Sequence, residues 1–543
     1  MTALIFYHMS KRLLAILSVI FILTACVPAT PTLAPLSTVS PTPEPTPEAT
    51  QLPWWRTAIF YEIFVRSFYD TDGNGIGDFN GITQKLSYLQ QLGINAIWLM
   101  PIHPSPSYHG YDVINYYAVN SEYGTMADFK NLLTEAHKHG IRIVIDLVLN
   151  HTSSQHPFFI DANGSPDSKY RNWYVWSDTA ASNDWHQGNN GYYFAHFCDC
   201  MPDLNYRNPE VTAQMENTVR FWLKDVGVDG FRIDAAKHLI EEGDKLENTQ
   251  STHDWFKGFY TYYKSIDPNA YTVGEAYGAG ATLVKSYTGD QLDQMFNFEM
   301  SSGFINSVSG GSNSGVTSAI KFALHDMPDF NFATFLTNHD QNRTMSVFNG
   351  DWGKAKVAAT LLLTSPGTPF IYYGEEVGMQ GKKPDEDIRL PMQWSSESNA
   401  GFTTDTPWRA PAVDYQQVNV AVQDKDNDSL LNHYRALTKL HQEHPALSSE
   451  DIHLLETGNP GVYAVLRGAG NEKILVVVNL KNTPISDYGV SLEENLLSDG
   501  VITPKTLFGT TDAPPVTISA GKFSGYKPTT ELAPYQSYIF QLQ

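Results

Sequence analysis

A chain of 543 residues is long enough for roughly three or four domains and a large buried core, which excludes a peptide or a disordered tail. With 36 Lys and Arg against 58 Asp and Glu the net charge is −22, so phosphate backbones and anionic bilayers are repelled and nucleic acid is excluded as a partner. Apolar residues make up 42% and charged residues only 17%, so Asn, Ser, Thr, Gln and Tyr carry the polarity, and abundant aromatic rings suit a neutral, hydroxyl-rich ligand such as a sugar.

Lys11 and Arg12 precede an apolar run over 13–23 that is too short to span a bilayer, so residues 1–25 read as a secretory signal, with Met9 a plausible start. The run ends in Leu23-Thr24-Ala25-Cys26, which resembles a bacterial lipoprotein cleavage box. That resemblance implies a lipidated Cys26 and an extracytoplasmic protein anchored to the cell membrane. Residues 26–53 then switch to Pro, Thr, Ser and Glu. At about 3.1 Å per residue in extended form, such a linker reaches roughly 80 Å. Of the remaining cysteines, Cys198 and Cys200 are two residues apart, a spacing that allows at best a strained disulfide and reads by preference as two nearby thiols without a catalytic role.

From Trp54 onward, short β-branched runs alternate with helical patterns. Strands are expected over 59–65, 96–100, 141–149, 230–234, 271–275, 294–298, 332–337 and 369–373, with helices over 82–92, 126–139, 211–226, 255–266 and 354–363. Eight β/α units favour a (β/α)8 TIM barrel over a doubly wound sheet, occupying 54–150 and 206–447. The stretch 151–205, rich in Trp, Tyr, Asn and Gly, reads as a small domain inserted after the third strand, with Trp173, Tyr174, Trp176 and Trp185 available to wall a cleft. Residues 448–543 show short strand runs between Gly, Asn and Pro, the pattern of an antiparallel β-sandwich. A monomer is expected.

Catalytic acids on a barrel belong where apolar strands stop. Asp146, Asp234, Glu275 and Asp340 stand at such ends, in Asp146-Leu147-Val148-Leu149-Asn150-His151, Gly230-Phe231-Arg232-Ile233-Asp234, Thr272-Val273-Gly274-Glu275 and Phe335-Leu336-Thr337-Asn338-His339-Asp340. Strand alternation puts Arg232 and Asp234 on one face, where a guanidinium holds a carboxylate ionised as a nucleophile. A second carboxyl kept protonated by burial or like charge completes the equipment of a retaining glycosidase.

These segments, with Met201-Pro202-Asp203-Leu204-Asn205 and Gly367-Thr368-Pro369-Phe370-Ile371-Tyr372-Tyr373-Gly374-Glu375-Glu376, resemble the α-amylase family, glycoside hydrolase family 13, and within it the group between oligo-1,6-glucosidases and neopullulanases. The resemblance covers nearly everything from Trp54 on and is weakest after Ser448. It implies Asp234 as nucleophile, Glu275 as general acid/base and Asp340 as transition-state stabiliser. It also implies His151, Arg232 and His339 on the sugar at the cleaved bond, Tyr111 stacking beneath it, Lys237 and His238 on the leaving-group side, and Arg389 paired with Asp112. The substrate so implied is an α-glucan such as starch or maltooligosaccharides, hydrolysed at α-1,4 bonds. Ala235, directly after the nucleophile, favours α-1,4 over α-1,6 specificity. An α-1,6-glucosidase, a glucosyl transferase and a sugar-binding protein without chemistry are the competing readings.

The run Asp70-Thr71-Asp72-Gly73-Asn74-Gly75-Ile76-Gly77-Asp78 places oxygen ligands at alternate positions, although Gly81 replaces the glutamate of a full EF-hand. It resembles the calcium loop of this branch, which implies Ca2+ held by Asp70, Asp72, Asn74, the Ile76 carbonyl and Asp78.

Overall fold

The computed structural model describes residues 52–510 and 512–543. The signal segment, Cys26 and the linker up to position 51 lie outside the described residues. Among the described residues, no helix is long and apolar enough to cross a membrane.

Eight strands form one parallel sheet: β1 (Phe60–Ile63), β2 (Ala96–Leu99), β3 (Arg142–Leu147), β4 (Gly230–Ile233), β5 (Tyr271–Gly274), β6 (Gln294–Met295), β7 (Ala333–Phe335) and β8 (Thr368–Tyr372). Each overlaps the run expected for it. The order is β7-β8-β1-β2-β3-β4-β5-β6, and a bridge between Phe296 and Ala333 closes the barrel. Rings fill its interior, with Phe60 stacked on Phe370 at 4.2 Å and Phe370 against Phe296 at 4.8 Å. Strands buried on both faces have no solvent side, which is why they read as mostly apolar runs, broken only by buried groups such as Glu62, Asp146, Arg232 and Gln294.

The outer layer includes α1 (Phe79–Gln91), α2 (Met126–Lys138), α3 (Pro209–Arg220), α4 (Gln250–Ile266), α5 (Phe298–Gly310), α6 (Ser314–Asp326), α7 (Trp352–Thr364) and α8 (Leu430–Glu443). Thr125 and Asp128 make a capping box that starts α2. The helix expected over 211–226 changes character at Phe221, continuing as a π-helical turn, Phe221–Val226, that ends at Gly227 with φ +96°. Helices α5 and α6 lie in a Gly/Ser-rich stretch for which no helix was expected, although Val316, Ala319, Ile320 and Ala323 of α6 recur at helical spacing. They approach closely: a Cβ on Gly303 would stand 2.9 Å from the Ala319 Cβ and 3.1 Å from the Gly315 carbonyl.

The segment after β3 carries the helix Pro157–Gly164 and a three-stranded antiparallel sheet of Trp176–Ser177, Gly191–Phe194 and Trp185–Gly188. Bridges from His151 to Asp203 and from Tyr174 to Leu204 pin its two ends together. Its rings pack on one another, Phe158 on Tyr170 at 4.4 Å and Phe159 on Tyr174 at 5.0 Å.

C-terminally, a five-stranded antiparallel sheet, ordered Asp451–Leu454, Val462–Ala469, Glu472–Asn479, Ser537–Gln541 and Lys505–Phe508, faces two two-stranded ladders. Alternation divides its central strands cleanly. Tyr463, Val465, Ile474, Val476 and Val478 join the barrel core, whereas Val462, Ala464, Leu466, Leu475 and Val477 join a second core under the ladders. The run 462–466 is therefore apolar throughout because both of its faces are buried.

Candidate active site

The loops at the C-terminal ends of the strands enclose a cavity of about 520 Å³. Asp234, Glu275, Asp340, Tyr111, His151, Lys237, His238 and Arg389 all line it, while Arg232, His339 and Asp112 are buried immediately behind.

Arg232 organises the floor. It points inward from β4, and its Nη1 donates to Asp234 Oδ1 at 2.5 Å and to Asp146 Oδ1 at 3.0 Å, while its Nη2 lies 3.7 Å from Glu275 Oε2. One fully buried guanidinium thus spans three carboxyl groups. Burial pushes Glu275 up, Arg232 pulls it back, and the charges of Asp234 and Asp340 push it further, to about 7. The Ala235 amide donates to Glu275 Oε2 at 3.3 Å from a left-handed backbone, φ +47°.

Asp340 is set in the opposite sense. Against burial, His339 at 3.2 Å and Arg389 at 3.0 Å hold it well below the usual carboxylate range. His339 is raised to about 9, because Asp340 and a buried Glu62, which accepts from Nδ1 at 2.5 Å, outweigh its burial. Tyr111 hydrogen-bonds His339 Nε2 at 2.8 Å, donates to Asp146 Oδ2 at 3.1 Å and lies nearly parallel to the His339 ring. His151 presents a buried Nε2 without a partner, and burial pushes its pKa down. Lys237 pairs with Glu247 at 2.7 Å, and His238 stacks on His196 at 4.6 Å.

The structure corrects three expectations. Arg389 does not pair with Asp112: it bonds Asp340 and Asp385, and donates from Nε to the His339 carbonyl, while Asp112 accepts from Ser105 and Ser107. Cys198 and Cys200 are not free thiols but a disulfide. Trp173 and Tyr174 are buried in the insert, and neither Trp176 nor Trp185 reaches the cavity. Its exposed rings are instead Phe197, 46% accessible and against His151 and His238, and Tyr277, 61% accessible and resting on Phe298. Phe197, Tyr277, Lys383 and Asp385 went unread because a lone ring or charge in a polar loop has no periodicity. Glu62 was hidden because β1 reads as plain core.

Between β1 and α1, Asp70, Asp72 and Asp78 bring carboxylate oxygens within 4.8 Å of one another. Asp70 accepts from the Gly75 and Gly73 amides and from Thr403, and Asp78 accepts from the Gly81 amide as the cap of α1. Asn74 Oδ1 accepts from the Ile76 amide at 2.8 Å. Burial, and then the Asp70 and Asp78 charges, raise Asp72. Clustered hard oxygen donors with two buried members fit calcium.

A barrel whose strand ends bring Asp146, Asp234 and Glu275 around one arginine has the carboxyl pair that a glycoside-bond-cleaving protein uses. The family described as alpha amylase, catalytic domain, matches residues 62–450, and the chain belongs to this α-amylase family, glycoside hydrolase family 13. It is an α-glucan hydrolase of that family. It is 43% identical over 437 residues to Alpha-amylase 3 of Dictyoglomus thermophilum, an alignment covering 79% of this chain and 85% of that relative. With an oligo-1,6-glucosidase of Parageobacillus thermoglucosidasius it shares 33% identity over 518 residues, covering 80% and 91%. The crystal structure of an α-amylase from H. orenii matches with a TM-score of 0.78 and 36% identity over 90% of this chain and 99% of that one.

Proposed function

We propose that the chain is an α-amylase that hydrolyses α-1,4 bonds of starch and maltooligosaccharides with retention of configuration. The observation that carries this reading is that one guanidinium spans both Asp234 and Glu275 while burial lifts Glu275 to about 7, so that near neutrality it still holds a proton to donate. Asp234 attacks the anomeric carbon as Glu275 protonates the departing glycosidic oxygen, leaving a glucosyl ester. Glu275, now a carboxylate, takes a proton from water, whose oxygen attacks the same carbon and frees Asp234. The anionic Asp340 stabilises the positive charge that develops on the ring, and His151 Nε2 has no protein partner to lose when it meets a sugar hydroxyl. Ala235 supports α-1,4 specificity by leaving the leaving-group side open. Analysis of products from starch, maltotriose and isomaltose tests the assignment: initial α-anomers and faster maltotriose cleavage are expected, whereas faster isomaltose cleavage assigns an oligo-1,6-glucosidase instead.

Two further readings belong to this proposal. Asp70, Asp72 and Asp78, with Asn74 and the Ile76 carbonyl, would hold Ca2+, whose positive charge would let the three clustered carboxylates share one turn. Lipidation of Cys26 anchors the enzyme outside the cell membrane, the linker spacing it from the bilayer. Partition of the full chain into detergent, lost in Cys26→Ser, checks the anchor, and an aqueous wild type would remove it.

A further inference from the structure

The main cavity has a neighbour. A second cavity of about 380 Å³ shares Tyr277, Asp340 and Lys383 with the first and continues between α5 and the loop after β7. Its wall mixes hydroxyl and amide side chains with the apolar Ile305, Leu336 and Val347, and its only charged members among the described residues are Asp340 and Lys383 at the shared end. Ser302 and Asn306, both exposed on α5, have no hydrogen-bond partner among the described residues, and the buried Gln341 Oε1 has none either. Asn342 accepts from the Lys383 amide at 2.8 Å, tying the far wall to the loop that carries Arg389. The cleft therefore forks at the exposed Tyr277 ring, beside the two acids Glu275 and Asp340.

An arm of this size falls in the range of small-ligand pockets. Hydroxyl and amide groups interleaved with apolar side chains suit a ligand with hydroxyl edges and C–H faces, as a sugar ring has. A single unbranched chain threads one path through a fork. A chain carrying a side branch near the cleaved bond needs both paths.

We propose that this second arm receives the α-1,6-linked branch of a branched α-glucan whose main chain lies in the cleft, so that α-1,4 bonds next to a branch point remain accessible to the enzyme. The inference rests on the α-1,4 reading of the main cleft. It places Ser302, Asn306 and Gln341 in contact with branch hydroxyls and Tyr277 at the point where the two arms part.

The test compares the wild-type full chain with Ser302→Trp, which fills the arm from an exposed helix position, and Asn306→Ala, which removes a polar contact without adding bulk. Substrates are a linear maltooligosaccharide and the same oligosaccharide bearing one α-1,6-linked glucosyl branch. The expected result is a kcat/KM on the branched substrate lowered by roughly tenfold or more in Ser302→Trp and less in Asn306→Ala, with the linear substrate changed by less than about twofold. Equal turnover of the branched substrate by Ser302→Trp and wild type overturns the proposal. So does an equal loss on both substrates, which would make the arm a subsite for linear chains. A wild type that leaves the linear substrate uncut fails the α-1,4 reading itself.

Discussion

At the scale of single residues, the site works by opposing two carboxyl environments. Glu275 is raised to about 7 by burial, while His339 and Arg389 keep Asp340 anionic. In its proposed role as general acid Glu275 must carry its proton, so kcat/KM should fall as pH rises through about 7, while Asp340 sets no limit in the working range. Glu275→Gln should lower kcat by about 10²–10⁴-fold, the usual worth of general acid–base catalysis, and abolish that alkaline limb. A pH–rate profile for both proteins checks this; a wild-type limb that survives in Glu275→Gln would assign the proton elsewhere. The acids and the arginine were legible in the sequence because strand ends on a barrel have a known destination, whereas both histidines came from the family resemblance. Partnerships were not: Arg389 chose Asp340 and Asp385 over Asp112, since a long side chain on a loop is placed by tertiary packing and not by spacing.

At the scale of elements, the loop from Asp70 to Asp78 connects β1 to α1 and caps that helix through Asp78. Binding only to the folded form stabilises it, so chelation should lower the melting temperature and added calcium should restore it. Calorimetry with and without chelator measures this, and an unchanged transition in protein free of bound metal would count against the site. The eight strands were readable because burial on both faces leaves a short, mostly apolar run. Helix α5 was not, because Ser301, Gly303 and Ser307 stand on its buried face in exchange for close contact with α6, and the stripe of Val316, Ala319, Ile320 and Ala323 in α6 went unread beside it. The rim of the cleft was misread for a related reason. Sequence alone does not tell Trp173, folded into the insert, from Phe197, left at the cavity mouth.

For the whole molecule, Glu375 and Glu376 sit at the end of β8, buried together and held by hydroxyl groups from four different elements. Thr344 and Tyr434 donate to Glu375, and Tyr61 and Tyr88 to Glu376. Burial raises Glu375 to about 8 from an ordinary 4.5, so the folded state keeps a proton that the unfolded chain has lost. That contribution is full below about 4.5 and fades as pH rises to 8. His339, raised to about 9, fades in the same direction. The buried His103, His433 and His441, lowered to about 4, act oppositely, but their effect is complete by 6.5, the ordinary histidine value. Stability should therefore decline between pH 7 and 9, less steeply in Glu375→Gln. Denaturation midpoints across that range measure it, and a flat or rising wild-type curve would show that Glu375 is ionised in the folded protein.

The two-faced strand Val462–Ala469 carries a consequence for how this chain can be taken apart. Because alternate side chains of one strand belong to two different cores, the last hundred or so residues are a wall of the barrel as much as a module of their own. Cutting before Ser449 would leave an apolar face open on the catalytic half, and the excised sandwich would carry the matching face, a pair of sticky surfaces where two domains were sought. Shortening or swapping this enzyme's tail is thus a redesign of its centre.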